Sequence, residues 1–191
     1  MLALTRARPG DVSRAVCLLL AGVMLAGCGI NTIPTLQEQA KAAWSQVLNQ
    51  YQRRADLIPN LVETVKGYAA HEREVFERVT EARARAIAAG SVAQQAQAEN
   101  MLTQALRSLF AVAEAYPALR ANENFAKLQE ELSETESKIA FSRQFYNDTV
   151  LQYDNMREAF PSNVVARMAG FGGKEYFEAE TVSREPVKVQ F

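Results

Sequence analysis

Asn122 to Phe160 reads NENFAKLQEELSETESKIAFSRQFYNDTVLQYDNMREAF, and its spacing decides the fold. Phe125, Leu128, Leu132, Thr135, Ile139, Ser142, Tyr146, Thr149, Tyr153, Met156 and Phe160 recur at alternating steps of three and four. A period of about 3.5 residues keeps one seam of a helix turned toward a neighbouring helix, whereas a strand needs alternation. The seam is apolar at both ends. In its middle, Thr135, Ser142 and Thr149 place small hydroxyls that can bond to carbonyls one turn earlier. The stretch predicts one long helix with nothing catalytic along its seam.

Upstream, Val92 to Ala115 carries Leu102, Leu106, Leu109, Ala113 and Tyr116 on one seam, and Pro117 stops it. Pro117 to Ala121 turns the chain, Asn122 caps the long helix, and Glu123 favours the positive end of its dipole. Gly90 is expected to end the preceding run as a left-handed cap, with Ser91 and Gln94 forming a capping box for the next helix. That preceding run starts near Thr35. Leu36, Ala40, Ala43, Trp44, Val47 and Tyr51 share a face that Ile58, Leu61, Val62, Val65, Val75, Phe76 and Val79 continue. Pro59 leaves two forms open, because an interior proline removes a hydrogen bond but a first-turn proline is tolerated. The run is one kinked helix, or two helices with Asp56 capping the second.

Downstream, Pro161 closes the long helix, Ser162 and Asn163 start a short one, and Gly170, Gly172 and Gly173 break it. Residues 178–191, with Val187, Val189 and Phe191 alternating, are expected to form an extended or disordered tail. The expected fold is all-α: an elongated antiparallel helical bundle over residues 35–177, with three long helices plus a short C-terminal helix. With 191 residues, 48% hydrophobic and 23% charged, the chain has the composition of one globular domain. A net charge of −1 provides no basic field, so nucleic acid is not an expected partner.

The N-terminus carries an address. Arg6, Arg8 and Arg14 precede an uncharged run, Ala15 to Gly27 (AVCLLLAGVMLAG), shorter than the roughly 20 residues a spanning helix needs. It fits a signal-peptide core, giving residues 1–27 as a lipoprotein-type signal peptide. Leu25-Ala26-Gly27-Cys28 resembles the lipobox of bacterial lipoproteins, which implies cleavage before Cys28 and lipidation of its thiol, with residues 28–34 as a lipidated tether. The other possibility is an uncut anchor with Cys28 a plain cysteine. Gly29, where an Asp would redirect sorting, implies the outer membrane facing the periplasm if the host is Gram-negative.

Searching for chemistry mostly excludes it. His71 is the single histidine. A zinc-protease helix needs a second His where Val75 stands, and a di-iron bundle needs Glu where Tyr68 stands. Gly170-Phe171-Gly172-Gly173-Lys174 lacks the first glycine and the final hydroxyl of a phosphate loop. No catalytic residue, metal or cofactor is expected. Glu72 falls next on either seam through Leu61 or Val62, where a buried carboxylate is costly unless paired. It is expected at the seam's edge or against a structural Arg, or else in a polar layer toward Thr135 or Ser142 that fixes helix register or receives a partner. Arg53, Arg54, Asp56 and Asn60 crowd Pro59, where local capping and an ion pair compete with a docking role. These four, with His71 and Glu72, are the candidate partner-binding residues. The acid-first pairs Glu74–Arg78, Glu81–Arg85, Glu123–Lys127 and Glu134–Lys138 add about 0.2 to 0.5 kcal/mol each and argue only for helix.

Three blocks carry a family resemblance. Arg53-Arg54-Ala55-Asp56-Leu57-Ile58-Pro59-Asn60-Leu61-Val62 is followed by Val65-Lys66-Gly67-Tyr68-Ala69 and His71-Glu72. Tyr116-Pro117-Ala118-Leu119-Arg120-Ala121-Asn122-Glu123-Asn124-Phe125 leads into Leu128-Gln129, Leu132, Thr135-Glu136, Ile139-Ala140, Arg143, Tyr146-Asn147 and Val150. Phe160-Pro161 and Tyr176-Phe177 complete the order. Together they resemble the LemA family, which implies a LemA-like four-helix bundle on a membrane-anchored protein; many members carry an uncut anchor, so the Cys28 arrangement departs from them. The expected function is a lipid-anchored helical scaffold or adaptor of the bacterial cell envelope, binding unidentified protein partners rather than turning over a substrate. The resemblance suggests a link with envelope stress or membrane proteolysis, and homo-oligomers are compatible with the seams. The alternative is a small-ligand receptor or an enzyme using a cleft near Asp56, His71 and Glu72.

Overall fold

Thr32 to Lys66 form α1, Arg73 to Ala88 α2, Val92 to Glu114 α3, Pro117 to Arg120 α4, Glu123 to Glu158 α5 and Ser162 to Ala169 α6. The computed structural model describes residues 13, 14, 16, 17 and 31–177. Cys28, the cleavage site and the tail 178–191 lie outside the described residues. Among those described there is no strand, in keeping with the all-α expectation, and no helix is long and apolar enough to cross a membrane.

The helix boundaries differ from expectation at three places, each with a local cause. First, α1 starts at Thr32, inside the expected tether, because the Asn31 carbonyl accepts from both the Thr35 hydroxyl (2.7 Å) and the Thr35 amide (3.3 Å). Pro34 falls in the first turn, where a missing N–H goes unnoticed. Second, α1 runs straight through Pro59, and the expected first run divides after Lys66 instead. Tyr68 and Ala69 amides both close on the Val65 carbonyl at 3.0 and 2.9 Å, and Glu72 N–H closes on Ala69, so the chain turns before α2. Among the described residues four helices of 16 residues or more result, one more than the three read from the spacing and the number that the family resemblance implies. Third, α2 leaves through Ala89 in an extended conformation (φ −67°, ψ 129°), and Gly90 does not adopt positive φ. The left-handed cap expected at Gly90 is absent; Ser91 Oγ accepts from Gln94 N–H at 3.2 Å while the Gln94 side chain accepts from Gly90 N–H at 3.1 Å, which closes the box one residue early.

The long helix follows its sequence pattern. Phe125, Leu132, Thr135, Ile139, Ser142, Tyr146, Thr149 and Tyr153 are buried, and Thr135 Oγ1 donates to the Glu131 carbonyl at 2.7 Å. Asn122 caps the helix, its Oδ1 accepting from Phe125 N–H at 3.0 Å. The seam ends earlier than expected, since α5 stops at Glu158 and Phe160 is 84% exposed.

The chain divides into two units, Ala42–Asp148 with Glu175–Phe191, and Met1–Lys41 with Thr149–Lys174. In the larger, Ile58, Leu61 and Val65 of α1 pack with Phe76 and Val79 of α2, Leu102 and Leu106 of α3, Leu119 of α4, and Phe125 and Leu132 of α5. Burying each such side chain contributes about 1.5–3 kcal/mol, so these faces dominate the fold's stability. The rings of Trp44, Tyr146 and Phe177 form a second apolar group of this unit, with centroids 5.5 to 5.6 Å apart. Asn147 fixes Phe177 by accepting from its N–H at 2.9 Å and donating to its carbonyl at 3.0 Å. The smaller unit is built on Ile33, Tyr153 and Ala166, and its α6 ends at Gly170 (φ 75°, ψ 25°), a left-handed position that favours glycine.

Candidate functional site

The six candidate residues separate into three settings. Arg53, Asp56 and Asn60 are exposed on the outer face of α1, where spacings of three and four keep them together. Asp56 does not cap a helix; in mid-helix its Oδ1 accepts from Gln52 Nε2 at 2.8 Å. Arg54, one residue from Arg53, turns the opposite way and is 2% exposed. His71 is exposed and Glu72 half-buried in the connection from α1 to α2. Because α1 has ended, Glu72 does not continue its seam; it is the N-cap residue of α2, its carbonyl accepting from Val75 and Phe76 amides at 3.2 and 3.3 Å, with no cap hydrogen bond from its side chain. Ten residues of helix from Asp56 to Lys66 span about 15 Å, so Asp56 does not converge with His71 and Glu72.

Arg54 instead anchors a buried polar centre. Its Nη1 lies 3.4 Å from Glu99 Oε2 on α3, its Nη2 donates to Thr103 Oγ1 at 2.8 Å, and the same nitrogen lies 3.3 Å from Glu136 Oε1 on α5. One guanidinium therefore joins three helices, a task suited to its planar fork of donors. Gln95 Nε2 donates to the other Glu99 oxygen at 3.2 Å and to the Ala86 carbonyl at 3.0 Å, linking α2 to the same group. Beside it, Arg143 Nε donates to the Tyr51 hydroxyl at 2.6 Å, and the Arg143 guanidinium lies 5.3 Å from the Tyr51 ring centroid and 5.4 Å from that of Phe177.

Burial governs the electrostatics here. It holds the Glu99 carboxyl above the usual range, against the attraction of Arg54 and the Gln95 hydrogen bond. It lowers Arg54 from the usual arginine value, against Glu99 and Glu136. It pushes the Tyr51 hydroxyl up to about 12, against Arg143. A buried pair of this kind gives modest net stability but is costly to break from one side, because the survivor is an uncompensated charge. Both Glu99 oxygens are engaged, so the carboxylate is not a free base.

A cavity of about 250 Å³ opens beside this centre, lined by Tyr51, Ala55, Ala86, Ile87, Gln95 and Glu99 among others. It is smaller than the pockets that enclose drug-sized ligands. Among the described residues no three His, Cys, Asp or Glu side chains are grouped to hold a metal ion.

Glu99 and Gln95 are not named in the sequence reading at all, and Tyr51 and Arg143 appear there only as a helix-face residue and as part of a family block, not as candidate binding residues. A signal for two of them was present: Gln95, Glu99, Leu102, Leu106, Leu109 and Ala113 continue one seam in steps of four and three. The polar pair at its head is where that seam meets Arg54.

An all-α chain whose helices are fastened by a buried Arg54–Glu99 centre is the class that the fold and site define. The model of the LemA family matches residues 43–191, and the chain belongs to that family. Magnetosome proteins MamQ 1 and MamQ 2 of Paramagnetospirillum magneticum are each 27% identical to it over 183 residues, covering 82% of this chain and 67% of theirs. MamQ of Magnetospirillum gryphiswaldense is 25% identical over the same lengths.

Proposed function

We propose that this protein is a lipid-anchored helical scaffold or adaptor of the cell envelope, which binds protein partners rather than turning over a substrate. The observation that carries the reading is the opposite fates of Arg53 and Arg54. Arg54 is committed inward to fastening α1, α3 and α5, while Arg53, Asp56 and Asn60 stand exposed on the rigid helix so fixed. Polar groups held on a rigid helix suit recognition, because little side-chain support must be ordered on binding. Membership of the LemA family and likeness to proteins named for the magnetosome support a membrane-linked role. The lipobox-like Leu25–Cys28 supplies the anchor, since two or three acyl chains hold where one is marginal.

Intact mass of the chain recovered from bacterial membranes tests the anchor. The expected species begins at Cys28 and carries the acyl mass, and Cys28→Ser releases the protein from the membrane fraction. An unmodified chain beginning at Met1 overturns lipidation.

A further inference from the structure

The smaller unit exposes an apolar face where a solvated helix would present polar groups. On α6, Ser162 and Ala166 are buried one turn apart, and the opposite side carries Val164, 51% exposed, and Met168, 86% exposed. Phe160, just before the helix, is 84% exposed. Three large apolar side chains are exposed within nine residues, Val164 and Met168 one turn apart on the same helix face, with exposed Arg167 beside them.

The position of α6 says what covers this face. Ala166 packs in one cluster with Tyr153 and Ile33, and Phe171 packs against them. Ile33 lies in the first turn of α1, five residues after Cys28. Five residues span at most about 18 Å even when fully extended. A lipid on Cys28 therefore brings α6 within reach of the bilayer surface, where an apolar face backed by a basic residue settles about 5–10 Å into the headgroup boundary. We propose that Phe160, Val164 and Met168 form a membrane-contact face whose partner is the phospholipid surface that holds the anchor. The face rests on the anchoring reading above, and it adds a second attachment that orients the smaller unit on the bilayer.

Met168→Cys provides the test, because lipidation leaves no other thiol in the mature chain. The full lipidated protein is labelled there with an environment-sensitive fluorophore and placed in phosphatidylcholine vesicles with plain or bromine-labelled acyl chains. Emission is expected to shift to the blue and to fall by about twofold with the bromine-labelled lipid, and Val164→Ser with Phe160→Ser in the same chain is expected to abolish both effects. Protein that floats with the vesicles while its probe reports water overturns the membrane-contact face and leaves the anchor intact. A blue shift without bromine quenching, rising with protein concentration, also overturns it and identifies a second copy of the chain as the occupant. Failure to float overturns the anchoring reading and the face with it.

Discussion

Arg83 on α2 donates from Nε to the carbonyl of Ala55 on α1 at 2.6 Å. Ala55 lies four residues before Pro59, so this carbonyl is the one that an ordinary residue at position 59 would have bonded through its N–H. The bond from α2 satisfies the group that Pro59 leaves open. It explains how α1 passes through a proline without ending, and it makes that proline a point of attachment between two helices.

The bond can be tested by a coupled pair of substitutions. Arg83→Met leaves the Ala55 carbonyl without its donor, and a loss of about 1–3 kcal/mol is expected in urea denaturation. Adding Pro59→Ala restores a donor within α1, so Pro59→Ala is expected to stabilise the Arg83→Met chain more than it stabilises the wild type. Equal effects in the two backgrounds would show that Arg83 does not serve the proline.

Arg54 and Glu99 predict a dependence on pH. Burial raises Glu99, so the folded chain holds that proton more tightly than the unfolded chain does. The associated stability is complete below the unfolded glutamate value of about 4.3 and is lost as pH rises through the folded value. Glu99→Gln is expected to flatten this slope. Arg54→Met leaves Glu99 without its countercharge and is expected to cost about 3–5 kcal/mol at neutral pH and less in acid, where the carboxyl that burial raises keeps its proton. Adding Glu99→Gln to Arg54→Met should recover much of the loss. Thermal melts across pH check all three expectations, and an Arg54→Met chain equally weakened at every pH contradicts them.

Tyr51 acts at the other end of the scale. Its hydroxyl is pushed from 10 to about 12, chiefly by burial, so its contribution is complete below pH 10 and disappears as pH rises through 12. A rise of this size corresponds to roughly 3 kcal/mol. Tyr51→Phe is expected to lose stability less steeply over that interval, as followed by circular dichroism. An unchanged slope would mean that Tyr51 does not carry the effect.

The all-α fold was legible because Phe125, Leu132, Ile139, Tyr146 and Tyr153 repeat at helical intervals and are buried as expected. The break at Gly67 was not, because the apolar run from Ile58 to Val79 hides it and Pro59 is the stronger local breaker. What decides between them is a tertiary bond, from Arg83 to Ala55, which no local pattern contains. The same limit applies to the site. Arg54 stood out beside Arg53, Asp56 and Asn60 as part of one polar cluster, yet its burial depends on Glu99, 45 positions away in the chain. Glu72 falls beyond the end of the seam that its spacing suggests, since a turn at Gly67 resets the helical phase.

Photocrosslinking in intact cells tests the scaffold most directly, with probes at Asp56 and Glu72 and an exposed control at Lys127. One recurrent envelope protein is expected to be captured from Asp56, on the outer face that Arg54 holds in place, and to be absent from Lys127. Capture of the same proteins at all three positions, or only of a second copy of this chain, would contradict a dedicated docking face on α1.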